Sequence, residues 1–202
     1  MAVQSCPCPL DATIGDLLDQ ECEQKIGQIG KIGFQLLGQE FVSIGELAEW
    51  TSALNATDPT KVQVTTTLHS QETTPAEPIT IGSAGSNDVF DGTIKVIGEG
   101  FYQITFNLRN PSPEVLKALK AYECESNRTG IYLMGTEFII STADSSAIPF
   151  TNFFVQSSPS LNGNADDNLA QLQITLPSDW YENSLITTKP DLQFNPMTLL
   201  NG

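Results

Sequence analysis

Few residues in this chain stand in patterns that do chemistry. A hydrolase needs a positioned base, and histidine is the commonest choice near neutral pH. The sequence has one histidine, His69, in a threonine-rich stretch with no G-x-S-x-G signature and no cysteine close by. Its plain reading is a surface or interface ring. Carboxylates pair in sequence at Asp166 and Asp167 and at Glu123 and Glu125. An acid and base pair is defined by separation in space, so these read as solvated loop acids. Asn87, Asp88 and Asp91 offer hard oxygens for calcium, but their spacing misses the EF-hand loop, and an Asx-rich turn explains them. Cys6, Cys8, Cys22 and Cys124 would hold zinc only if the N-terminus folded back. A C-x-C pair is not the usual C-x2-4-C knuckle, so free thiols are expected. Neither glycine-rich phosphate-binding fingerprint is present. Trp50 and Trp180 read as half-buried anchors of a core or an interface ahead of a sugar-stacking platform. The residues thus predict no enzyme, no cofactor and no metal.

The elements that would position these groups are mostly strands. In the stretch from Gly92 to Glu123, the apolar Ile94, Val96 and Ile97 make one short strand, Gly98-Glu99-Gly100 a turn, and Phe101 to Leu108 a second strand alternating in period two. A helix follows at about 112–123, with Ser112 as N-cap, Pro113 at N1, Glu114 in the first turn, and Val115, Leu116, Leu119 and Tyr122 at helical spacing. Lys117 and Lys120 lie late in it, where cations favour the helix dipole.

Lys61 to His69 reads as one alternating strand, Ile79 to Ile81 as another, Gly130 to Thr142 as a hairpin around Met134-Gly135, and Pro149 to Gln156 and Ala170 to Leu176 as further strands. Ser43 to Leu54 predicts a helix capped by Ser43, with Glu46 at the capping-box position. Around Glu21 to Leu37 a spacing of three suits a helix, but Gly27, Gly30 and Gly33 weaken it, and an extended arm is the rival. A short helix is expected from Asp11. The tail ends in FNPMTLL, whose apolar residues predict docking. Six or more strands with one internal helix give a mainly β fold, an antiparallel sandwich or barrel. Residues 1–55 are expected as an N-terminal arm or helical extension and 56–202 as a single β-sandwich core.

Composition narrows the partners. The chain has 202 residues and a net charge of -15, with only nine basic residues. Phosphate neutralisation needs clustered Lys and Arg, and here they are scattered, with Lys189 alone after Arg128. An acidic surface would instead let DNA pass without sticking. No apolar run approaches the roughly 20 residues of a membrane span. The first residues lack the basic start and apolar middle of a secretory signal, and cytosolic assembly with reduced thiols is the expectation.

The segment DGTIKVIGEGFYQITFNLRNPSPEVLKALKAYE, followed by GIYLMGTEFIIST, PFTNFFVQ and QLQITLPSDW, resembles in pattern and order the bacteriophage tail-tube or major tail protein family. The resemblance runs over about residues 61–180. It implies a virion protein assembled in the host bacterial cytoplasm, with a helix packed across the flank of a sandwich. It further implies self-assembly into rings, usually hexameric, stacked as a tube for DNA ejection. The partners would be copies of itself and other virion proteins, with DNA passing unbound. Glu72, Glu77, Glu99 and Glu137 are then candidates to face the channel, and Lys117 and Lys120 to meet a neighbouring subunit. A head-tail connector, a capsid decoration or a fibre base, or an extracellular β-sandwich binding module, are the alternative readings.

Overall fold

The computed structural model describes residues 27–81, 95–159 and 168–201. Cys6, Cys8, Cys22, the helix expected from Asp11, the Asn87 to Asp91 loop and the Asp166-Asp167 pair lie outside them. The described chain is mainly β, and its antiparallel sheets form a sandwich without closing into a barrel.

The larger sheet contains β1 (Lys31–Leu36), β2 (Val62–Val64), β7 (Thr129–Met134), β8 (Phe138–Thr142), β9 (Ile148–Pro149) and β12 (Ser184–Thr188). Its order is β12-β8-β7-β1-β2, with β9 also paired to β7. The smaller sheet runs β10-β11-β6-β3, from β3 (Leu68–Thr74), β6 (Tyr102–Arg109), β10 (Asn152–Val155) and β11 (Leu169–Leu176). A ribbon of β4 (Pro78–Ile81) and β5 (Lys95–Glu99) stands apart from both. Two helices complete the fold, α1 (Leu47–Asn55) and α2 (Pro113–Ala121).

Burial explains why the strands differ in pattern. β6 and β11 alternate: Ile104, Phe106 and Leu108, with Ala170, Leu172, Ile174 and Leu176, point inward. Strands β1, β7 and β8 are buried almost continuously, as strands covered on both faces must be. One face of the larger sheet, including Ile32, Phe34, Ile131 and Leu133, meets the smaller sheet. The other face, including Val62, Val64, Tyr132, Met134 and Ile139, is covered by Trp50, Ala53 and Leu54 of α1 and by Leu192 and Leu199 of the tail. The tail therefore docks as expected. Trp50 is fully buried, not half-buried, and donates Nε1–H to the Ile44 carbonyl at 2.8 Å. Trp180 is also buried, in the first core against Tyr102.

Several local expectations change. Gly98-Glu99-Gly100 is not a turn, since Gly98 and Glu99 are strand residues of β5 paired with Ile79 and Pro78, and Pro149 to Gln156 is not one strand, since β9 joins the larger sheet and β10 the smaller. Lys61 to His69 is not one strand: β2 belongs to the larger sheet and β3 to the smaller. Thr65 marks the crossing, exchanging backbone and side-chain hydrogen bonds with Ile32. Ser43 does not cap α1, which begins after Glu46 without a side-chain cap; the Ser43 N–H instead donates to the Glu49 carboxylate at 3.1 Å. The described part of the glycine-crossed stretch holds no helix, and its Lys31–Leu36 is β1, paired with β2 and β7 of its own chain. Helix α2 forms where its local signals place it, and the Ser112 hydroxyl accepts from the Val115 N–H at 3.3 Å. It buries Leu116 and Leu119 against the first core and so closes one flank of the sandwich.

Candidate assembly surfaces

The ribbon is built by continuing a pairing that begins inside the sandwich. Glu72 pairs with Thr105 and Thr74 with Gln103 between β3 and β6; Pro78 pairs with Glu99 and Ile79 with Gly98 between β4 and β5. These pairs share one register, and the Gly100 N–H donating to the Glu77 carbonyl at 2.8 Å bridges the gap between them. The result is a single long hairpin whose base belongs to the smaller sheet and whose outer part does not. A shift between His69 and Glu72, with Ser70 at φ 52°, puts a bulge at its base. Beyond the base the side chains are open to water: Ile79, Val96 and Phe101 are 49%, 65% and 60% exposed. Gly98 gives its strand partner open space, since no atom stands within 4 Å of a Cβ placed there.

Most other sheet edges are covered, each by a different device. Asn201 lies against β2, where its side-chain Oδ1 accepts from the Val64 N–H at 2.8 Å and its Nδ2 donates to the Val64 carbonyl at 2.7 Å. Glu123, in the 3-10 turn Tyr122–Cys124, accepts the Val155 N–H at 2.7 Å and so covers β10. At the start of β3 the Leu68 N–H donates to Gly30, and the Gln71 side chain accepts from the Ile29 N–H. Unpaired edges are templates for another chain; β2, β10 and the start of β3 are covered, while β12 on its outer side and the ribbon pair with no further strand among the described residues. Neither Asn201 nor Glu123 carried a sequence signal, because the partner strands lie 137 and 32 residues away.

The acids singled out by resemblance divide in two. Glu72, Glu77 and Glu99 are exposed on or beside the long hairpin. Glu137 stands on the β7–β8 turn of the larger sheet, ion-paired with Lys189 at 2.9 Å with both side chains well exposed. Lys117 is exposed on α2, and Lys120, in its last turn, reaches the Ser157 hydroxyl. His69 is half-buried on β3 opposite Asn107. Glu123 is engaged with β10 rather than facing Glu125 as half of an acid and base pair. Cys124 is an exposed free thiol. Among the described residues no three His, Cys, Asp or Glu side chains gather closely enough to hold a metal ion, and no helix is long and apolar enough to cross a membrane.

Beside β2 and α2 lies a groove divided by Tyr122, whose hydroxyl donates to the Gln63 side chain at 2.9 Å. Its ring stacks on Phe34, with centroids 4.3 Å apart. On one side is a cavity of about 180 Å³ bordered by Asp58, Lys61, Glu125 and Thr129; on the other is one of about 120 Å³ bordered by Val64, Val115, Leu119 and Asn201. Burial, and secondarily the Glu125 charge, hold the Tyr122 hydroxyl above the usual tyrosine range. Burial pushes Tyr132 further in the same direction. Lys31 is buried beneath the tail, where it donates to the Leu199 carbonyl, and desolvation holds its ammonium below the usual lysine range.

No protein-family model matches this chain, and no curated protein matches it. Two solved structures are similar to it in part. One is the tube-terminating cap of the anti-feeding prophage, at TM-score 0.35 and 11% identity over 82% of this chain and 93% of that one. The other is the six-fold symmetrised baseplate of the anti-feeding prophage, at TM-score 0.30 and 10% identity over 77% and 97%. At TM-scores this low, neither likeness assigns a fold or a role.

Proposed function

We propose that this chain is a structural subunit of a bacteriophage particle that assembles with its own copies into stacked, hexameric rings, forming a tail tube through which DNA passes. The observation that carries the reading is the long hairpin. A two-stranded ribbon is marginal in water by itself, yet β4–β5 extends beyond the sandwich with Ile79, Val96 and Phe101 exposed. Such an element is completed by a neighbour. Repeated around a closed ring, one head-to-tail contact satisfies every copy. The net charge of -15 supports a role in which DNA is conducted rather than held. Some of Glu72, Glu77, Glu99 and Glu137 would face the lumen, where repulsion is screened over about 8 Å at physiological salt.

Negative-stain microscopy of the concentrated protein tests this. Stacked rings support the tube; a monomer or trimer at all concentrations overturns it in favour of a decoration or fibre role. Lysine reversal of the four acids tests the lumen assignment separately, because DNA ejection by particles carrying the reversals should slow, and unchanged ejection removes the assignment.

A further inference from the structure

We infer that the outer edge of β2 is a concealed docking edge for the β4–β5 ribbon of a second copy, and that Asn201 is its displaceable cover; this rests on the self-assembling reading above. The first support is the chemistry of the cover. Val64 turns both its N–H and its carbonyl away from β1, and the Asn201 carboxamide meets both, at 2.8 and 2.7 Å. A side-chain amide satisfying one donor and one acceptor reproduces what an extended backbone would offer there.

The second support is how lightly the cover is held. Leu192 and Leu199 are buried and anchor the tail, but Leu200 is 77% exposed. Asn201 is therefore joined to the anchored part through a residue that buries little. The amide can leave without unseating Leu199, which Lys31 also holds through its carbonyl.

The third support is the fit of the occupant. The cavity of about 120 Å³ beside Asn201 is walled on one side by Phe34, Val115, Leu119 and Tyr122 and on the other by Gln63, Thr65 and Thr66, a space that takes a branched aliphatic side chain against its apolar wall and backbone polar groups against the other. The ribbon exposes two, Ile79 and Val96, and pairs with no strand but its own partner among the described residues. The helix α2 forms the groove's other wall through Val115, Ala118 and Leu119, and carries no acid on that wall to repel the ribbon's Glu77 and Glu99.

The experiment uses the full chain, with Asn201→Ala, Val96→Asp and the double variant, and reads amide hydrogen exchange at Val64 together with sedimentation over a concentration series. Val96 is exposed, so its replacement leaves the core intact. Asn201→Ala should speed exchange at Val64 by about tenfold in dilute protein, where the edge is uncovered, and lower the concentration at which the chain self-associates by a similar factor. Adding Val96→Asp should cancel the gain in self-association while Val64 stays fast. Unchanged exchange in Asn201→Ala shows that the amide is no cover. Faster exchange without stronger association shows that the edge docks nothing, and association that survives Val96→Asp names a different occupant; each overturns the inference. If the wild-type chain forms oligomers that are not stacked rings, the tube reading fails, while the comparison of Asn201→Ala with wild type still decides this one.

Discussion

At the scale of single residues, the buried polar groups have the most measurable consequences. Tyr132 is enclosed between Phe41 and Trp50, and its hydroxyl donates to the Gln35 side chain at 2.6 Å. Tyr122 is partly enclosed beside Glu125. Both hydroxyls stay protonated in the folded chain above the pH of about 10 at which an unfolded tyrosine ionises. The unfolded state thus loses protons first, so the stability these groups contribute is complete below pH about 10 and is lost as pH rises through their folded values. Tyr132→Phe should remove a late step from the tyrosinate absorbance titration; ionisation of Tyr132 near pH about 10 in intact protein would contradict its burial. Trp50 is the complementary case. Its ring fills the second core and its indole satisfies the Ile44 carbonyl, so Trp50→Phe should cost about 1–3 kcal/mol in denaturant unfolding, from lost volume and an orphaned acceptor.

At the scale of elements, local signals were legible and long-range ones were not. Ser112, Pro113 and Glu114 specify the start of α2 within a few residues of one another, and the helix forms there. The alternation of β6 and β11 needs only a sheet with one buried face, and it too was readable. Thr65 looked like one more strand residue because its task, bonding Ile32 across 33 positions, has no local trace. Gly30 and Gly33 looked like helix breakers, whereas each serves a close approach: a Cβ on Gly30 would meet the Met197 side chain at 2.6 Å, and one on Gly33 would meet Met134 at 3.0 Å. β12 has no local signal in the tail, since its strand character comes from pairing with β8. Of the candidate surfaces, the acids were visible as residues, but the shared register that gathers Glu72, Glu77 and Glu99 on one hairpin was not. The edge covers yield a prediction at this scale. Glu123→Ala removes the acceptor of the Val155 N–H and should cost about 1–3 kcal/mol, with faster exchange at Val155 and unchanged exchange in β11 next to it. Equal acceleration in both strands would mean global destabilisation and no specific cover.

For the whole molecule, charge and shape oppose each other. Copies of a chain with net charge -15 repel, while the ribbon's exposed apolar side chains favour contact. Raising salt from about 0.05 to 0.5 M shortens the screening length from well over 10 Å to under 5 Å and leaves apolar attraction in place. Self-association followed by sedimentation should therefore begin at lower protein concentration in high salt. A threshold that rises with salt would show that attraction between opposite charges dominates the contact.

The 137 residues between Val64 and Asn201 also set an order in time. During synthesis β2 is made well before its cover, which follows every described strand of both sheets. The long hairpin, whose strands span 68–109, is likewise complete well before the tail. Each nascent chain therefore passes through an interval in which a sticky ribbon exists and the edge cover does not. Neighbouring chains on one messenger are exposed to premature pairing in that interval. On the proposed docking, the edge is closed only once Asn201 has been made, after the ribbon it would keep out.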